Sequence, residues 1–224
     1  MNNLLCIIPA RSGSKRIKNK NIINFFKIPF LGRTILTAKK SKIFDEIVVS
    51  SDSEKILKIG KKFGAKNYGL REKKYANDIA TTDEMLLHEI EKNNLARFKY
   101  ICCIYPATPL LKSKVLAKAF KKFKKGNFDS LLSITTFDYP IFRALKIKNK
   151  YIFFKWKKFE KKRSQEIEEM YHDCGYFYFF KTSTFIKNKK FFNKNTGYFK
   201  ISKDKAVDID NYVDLSIAKK LFKK

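Results

Sequence analysis

Residues 4–21 read LLCIIPARSGSKRIKNKN. Five uncharged apolar residues, Leu4–Ile8, run into Pro9-Ala10-Arg11, the turn Ser12-Gly13-Ser14 and a series of cations. A short apolar run bounded by turn residues predicts a buried strand. A glycine turn at its end lets backbone N–H groups approach an anion, and serine hydroxyls add donors. Arg11 and Lys20 add positive charge, one as a planar fork and one as a point. Neither G-x-x-x-x-G-K-[ST] nor G-x-G-x-x-G is present, so the stretch is neither a P-loop nor a dinucleotide fingerprint. It reads either as a phosphate site at a strand end or as a basic surface turn.

The pattern repeats outward from there. Glu46–Ser50, Tyr100–Tyr105, Ser130–Thr135 and Gly175–Phe180 read as further buried strands. Helical spacing covers Thr34–Ser41, Ser53–Phe63, Thr82–Asn93, Lys114–Lys124 and Asp214–Phe222. Alternation of strand and helix predicts an α/β fold, a mostly parallel sheet with helices on both faces. In such sheets ligands bind beyond the carboxyl ends of the strands. Those ends carry Arg11–Arg16, Ser50-Ser51-Asp52 and Pro106-Ala107-Thr108-Pro109, while His172 and Asp173 precede the last strand. Residues 138–172 break the alternation with a hairpin around Lys148-Asn149-Lys150, predicting an inserted arm on one domain spanning 1–224. Lys187–Lys200, rich in Lys and Asn, reads as a long surface loop.

The net charge of +29 invites a nucleic-acid reading. The excess is 43 Lys against seven Arg, spread along the whole chain without a clustered footprint. Lys, Asn, Ile and Phe are residues of A/T-rich codons, so a mutational bias produces the same composition. A basic nucleic-acid-binding protein would also leave the ordered strand-end motifs unexplained. Cys6, Cys102 and Cys103 sit in apolar runs, Cys174 beside them, and no C-x-x-C occurs. They predict reduced buried thiols. The short apolar run before Pro9 predicts no secretory leader, and no stretch reaches a membrane span, so a cytoplasmic location is expected.

In AVDIDNYVD, residues 206–214, Asp208 and Asp210 flank one apolar residue. In extended backbone both carboxylates share a face. Two hard oxygen donors suit Mg²⁺ together with phosphate oxygens. The competing reading makes Asp210 or Asn211 the N-cap of the last helix.

A cationic glycine turn and a D-x-D pair on one α/β sheet suggest nucleotidyl or phosphoryl transfer. At this point the sequence resembles the acylneuraminate cytidylyltransferase family. IIPARSGSKRIKNKN is similar to the family's first-strand signature, with Ser12 where the family carries Gly. FDEIVVSSDSEKI (44–56), GLREKKYANDIATTDEML (69–86), CCIYPATPLL (102–111) and VDID (207–210) follow in the family's order. TTFDYPIFRALKI (135–147), RSQEIEEMYHD (163–173) and YHDCGYFYF (171–179) resemble the branch acting on pseudaminic acid. Tyr105, where sialic acid enzymes carry Gln, points the same way.

The resemblance implies a three-layer Rossmann-like nucleotide-diphospho-sugar transferase fold. It also implies transfer of CMP from CTP to the C2 hydroxyl of a nonulosonic acid, with release of pyrophosphate. Pseudaminic acid is the expected acceptor; N-acetylneuraminic and legionaminic acid are the alternatives. Arg11, Ser14, Lys20 and Asn21 would hold the triphosphate and ribose, Arg71 and Thr82 the base and sugar. Asp208 and Asp210 would bind one or two Mg²⁺. Tyr105, Arg143, Arg163 and His172 would meet the acid sugar, although His172 reads more readily as a structural residue at a strand entrance. A homodimer is implied, with the arm reaching the neighbour.

Overall fold

The uncharged run at the start of the chain is the second innermost strand of a six-stranded sheet. This is seen in a computed structural model that describes residues 2–223. Strand β1 (Leu4–Pro9) lies between β4 (Glu46–Ser50) and β5 (Tyr100–Ile104), parallel to both. Leu4 to Ile8 are completely buried, as a strand covered on both faces requires. Beyond β5 come β9 (Tyr171–Lys181), β6 (Ser130–Thr136) and β10 (Thr196–Lys200), giving the order β10-β6-β9-β5-β1-β4. Only β9 runs antiparallel to its neighbours.

Helices α1 (Phe30–Ser41), α2 (Glu54–Lys62) and α4 (Ser113–Lys125) cover one face through Leu31, Ile35, Ile56, Leu116 and Phe120. Helix α3 (Thr82–Lys92) and the short α5 (Thr182–Asn188) cover the other through Met85, Leu86, Ile90 and Phe185. A third cluster joins the last helix, α6 (Tyr212–Lys223), to the small ribbon β2 (Asn24–Phe25) and β3 (Ile28–Pro29). Thr81 opens α3 with a capping box shared with Glu84, which places the start at Thr82, as the spacing predicts.

The predicted loop 187–200 is only partly a loop. Its last five residues form β10, an edge strand parallel to β6. Gly197 makes this pairing fit: a Cβ there would lie 2.5 Å from the Phe128 ring. The Lys and Asn content that suggested a loop is a feature of an exposed edge.

The predicted strand 175–180 is longer, running from Tyr171 to Lys181, so His172 and Asp173 lie within it. Leu132 pairs with Tyr178 but Ile134 with Asp173, so Ser133 alone faces the four residues Cys174–Phe177. Gly175, at φ 64°, takes the left-handed turn of this bulge. The buried Ser133 hydroxyl accepts the backbone N–H of Tyr176 (3.2 Å) and Phe177 (3.1 Å). An odd number of extra residues reverses which side of the sheet the following side chains meet.

Within residues 138–172, β7 (Leu145–Lys148) pairs with β8 (Tyr151–Phe154) across Asn149. Leu145, Ile147, Tyr151, Ile152 and Phe153 on this ribbon are exposed.

Candidate active site

A cavity of about 700 Å³ opens at the carboxyl ends of β1 and β5. Arg11, Ser14, Lys20, Asn21, Arg71, Thr82, Tyr105, Asp208 and Asp210 all line it. Nine predicted residues therefore meet in one place: from the ends of β1 and β5, from the loop holding Arg71, from the start of α3 and from the C-terminal D-x-D.

The loop after β1 forms the cationic wall. Its path is fixed by Asp52 at the end of β4, which accepts Ser12 N–H (2.8 Å) and Ser12 Oγ (2.6 Å). Buried Asn21 donates to the Arg11 carbonyl (2.8 Å) and ties the loop's far end back to its start. Beyond its chain neighbours, no atom of the described residues lies within 4 Å of a Cβ built on Gly13, so that side of the turn is open. Arg11 and Lys15 both reach Asp78, each at 2.6 Å, and Arg11 also donates to the Asn77 carbonyl. Lys15 and Arg11 together hold the Asp78 carboxyl below its usual range.

The D-x-D pair faces this wall. Ile209, fully buried against Phe25, Phe30 and Leu215, anchors the segment and turns its two neighbours to the cavity. Asp210 accepts from Arg16 (2.8 Å) and Lys20 (3.4 Å), and Lys20 also donates to the Ile209 carbonyl (2.8 Å). The cap reading goes to Asn211: its side-chain oxygen accepts Val213 N–H and Asp214 N–H. Asp214 in turn accepts Asn211 N–H and Asp210 N–H. Asp208 has no hydrogen-bond or ion-pair partner among the described residues. Asp208 is open to solvent on one side; its partial removal from bulk water at the cavity wall, and after it the charge of Asp210, push its carboxyl above the usual range. A lone carboxylate beside a second one is the donor set a divalent cation fits, with phosphate oxygens and water as further ligands.

Arg71 sets the opposite end. Its backbone N–H bonds the Ser51 carbonyl at 2.8 Å, and the residue is buried. Nε and Nη2 have no partner among the described residues. Burial lowers its pKa, opposed by the charges of Asp52 and Glu89, and the group stays protonated. Two buried N–H donors without acceptors are costly unless a ligand supplies the acceptors. The Thr82 hydroxyl is hydrogen-bonded to the Tyr105 hydroxyl, which links the start of α3 to the end of β5.

Three predicted residues lie elsewhere in this chain. Arg143 is on the arm, donating to the Lys162 carbonyl (3.2 Å) over the Phe154 ring. Arg163 is exposed at the start of a short turn closed by Glu166. His172 is exposed and packs on Phe137, 4.8 Å between ring centres. Its neighbour Asp173 lines the cavity instead. Sequence reasoning did not single out Asp173, Asp78, Arg16 or Tyr178 as site residues. The first depends on the bulge, the second on a loop fold and the third on the D-x-D segment's approach. Only Arg16 had a local signal, its place in the glycine turn.

Known proteins resemble this chain in sequence and in fold. A sequence profile described as Cytidylyltransferase matches residues 5–222. A pseudaminic acid cytidylyltransferase of Campylobacter jejuni is 37% identical over 98% of this chain and 96% of its own length. A CMP-N,N'-diacetyllegionaminic acid synthase of the same species is 31% identical over 97% of this chain and 94% of its own. A solved CMP:2-keto-3-deoxy-manno-octonic acid synthetase in complex with CTP superposes with a TM-score of 0.73 at 13% identity, covering 98% of each chain, a likeness of fold. With the cationic loop, the paired carboxylates and the unpartnered arginine on one α/β sheet, the chain belongs to the cytidylyltransferase family.

Proposed function

We propose that this enzyme transfers CMP from CTP to the C2 hydroxyl of pseudaminic acid, releasing pyrophosphate and supplying a sugar donor for surface glycan or flagellin modification. The observation that carries it is the single cavity holding Arg11, Lys20, Arg71, Asp208 and Asp210. The choice of acceptor rests on the relative of that name and on Tyr105 in the cavity wall. The legionaminic acid relative supports a second acceptor of the same class, and N-acetylneuraminic acid is a third.

In this reading Arg71 donates its free N–H groups to the cytosine, and Thr82 meets the base or ribose. Ser14, Asn21 and the open side of Gly13 receive the ribose and phosphates. Arg11 leaves Asp78 to bond the phosphates and, with Lys20, stabilises the departing pyrophosphate. Asp208 and Asp210 hold one or two Mg²⁺. The bound ion supplies neutralisation of phosphate charge and a template for in-line attack. Asp210 pairs here with Arg16 and Lys20, two cations that would also meet the triphosphate.

The exposed apolar ribbon β7–β8 supports a homodimer in which the arm lies on a second copy. Arg143, Arg163 and His172 would then meet the acid sugar bound to the neighbour. Among the described residues no helix is long and apolar enough to cross a membrane; with reduced buried cysteines this supports action in the cytoplasm. The test is Asp210→Ala, which should abolish pyrophosphate release from CTP and sugar acid while the far-ultraviolet circular dichroism is unchanged. Retained turnover would remove the carboxylate pair from the mechanism.

A further inference from the structure

Asp173 is a fourth carboxylate on the cavity wall, beside Asp78, Asp208 and Asp210, and the one with no role assigned above. It reaches that wall through the β9 bulge. Cys174, Tyr176 and Phe177 all pack into the core under α1, α2 and α4, whereas Tyr178 and Phe180 lie on the α3 side. The reversal puts Asp173 on the same side as Tyr178, whose hydroxyl donates to Asp173 Oδ2 at 2.6 Å. Gly175 N–H donates to Oδ1 at 2.8 Å. Both oxygens are thus held, and each keeps acceptor capacity toward the opening. Tyr105 stands edge-on to Tyr178, 5.7 Å between ring centres, and completes this corner.

A fixed negative charge here repels a triphosphate, and among the described residues Asp173 does not join Asp208 and Asp210 in a three-carboxylate metal group, so it faces ligand groups that donate hydrogen bonds. The cytosine amino group is one candidate, but Arg71 is tied to Ser51 at the end of β4. In the sheet order β9-β5-β1-β4 that end lies three strand spacings from β9, roughly 14 Å. The corner is shared with Tyr105, which the resemblance gives to the acid sugar, and that favours the hydroxyl and amide N–H groups of the sugar as donors. We infer that Asp173 is an acceptor-recognition residue: it takes a hydrogen bond from a hydroxyl or amide N–H of the sugar acid and keeps the sugar's own carboxylate away from that corner. The inference rests on the proposed CMP transfer to a sugar acid. Charge repulsion fixes which way round the sugar lies, and Tyr178 with Gly175 fixes where the carboxylate stands.

The test is steady-state kinetics of Asp173→Asn with CTP, Mg²⁺ and pseudaminic acid, beside Tyr178→Phe and the double variant. Asp173→Asn should raise KM for the sugar acid about tenfold or more, the scale of one charge-assisted hydrogen bond. KM for CTP and the thermal midpoint should stay near wild type. Tyr178→Phe should shift the same constant less, and the double variant should add little to Asp173→Asn, because Tyr178 acts through the carboxylate. A rise confined to KM for CTP, an unchanged KM for sugar, or a fall in kcat matched by a lowered midpoint would each overturn the inference. A wild-type enzyme that turns over no sugar acid would overturn the underlying reading, and this inference with it. An active wild type with an indifferent Asp173→Asn overturns the inference alone.

Discussion

Asn211 and Asp214 cap the final helix together. The Asn211 side chain accepts Asp214 N–H at 3.0 Å, and the Asp214 carboxylate accepts Asn211 N–H at 3.0 Å. The D-x-D pair just before them is released from capping and faces the cavity. Asn211→Ala should therefore cost about 1 kcal/mol of stability, measured by chemical denaturation. It should leave the pH dependence of turnover in place, because neither carboxylate is removed.

Asp208 carries a stability signature of its own. Its folded pKa lies above the unfolded value, so the proton favours the fold. The contribution is present below the unfolded carboxylate pKa and is lost as pH rises through the folded one. At neutral pH in a chelator, Asp208→Asn should melt at a higher temperature than wild type, and the gap should close as pH falls toward the carboxylate range. Adding Mg²⁺ and CTP should stabilise wild type and leave the variant behind. Equal melting of the two proteins at neutral pH would remove the strain assigned to this pair.

Arg71 gives nothing to the fold through Nε and Nη2, so its replacement should not unfold the protein. Arg71→Lys keeps a charge but loses the planar fork. Isothermal titration should show CTP binding weakened by about ten- to a hundredfold, in the range of one or two lost hydrogen bonds from a charged group. Discrimination against UTP should fall with it.

Asp78 pairs with Arg11 and Lys15, and the proposed function gives Arg11 to the triphosphate. Asp78→Asn removes that competition for Arg11 and Lys15. CTP should bind a few-fold more tightly at low salt, the scale of exposed ion pairs, and the gain should fade as salt screens it. Weaker binding would mean that Asp78 shapes the loop more than it competes.

The arm predicts an assembly. Ile147 and Ile152 pair across β7 and β8 and are both largely exposed. Ile147→Asp with Ile152→Asp should convert a dimer to a monomer by analytical ultracentrifugation. KM for the sugar acid should rise if Arg143 and Arg163 act on the neighbour, while CTP binding holds.

Much of the fold was legible because β1, β4 and β5 are buried on both faces and so read as unbroken apolar runs. Part of the candidate site was legible for a related reason: Arg11–Asn21 and Tyr105 follow the ends of β1 and β5, whereas Arg71 and Thr82 follow no strand end and came from the family resemblance alone. β10 was missed because an edge strand needs little apolar content, and its Lys and Asn look like a loop. The short β2–β3 ribbon and α5 gave too few residues for a period to show. Asp173 was passed over in favour of His172, one position earlier, because alternation in β9 reverses at a bulge set by Gly175 and Ser133. That reversal depends on pairing with β6, forty residues upstream, which local sequence does not encode.

The central claim is tested most directly by incubating the purified enzyme with CTP and Mg²⁺ and, separately, with pseudaminic, legionaminic and N-acetylneuraminic acid, following pyrophosphate and the CMP-sugar by mass spectrometry. The account predicts stoichiometric CMP-pseudaminic acid and pyrophosphate, with the highest kcat/KM of the three acids. No pyrophosphate above background with any of them, or a clear preference for N-acetylneuraminic acid, would contradict it.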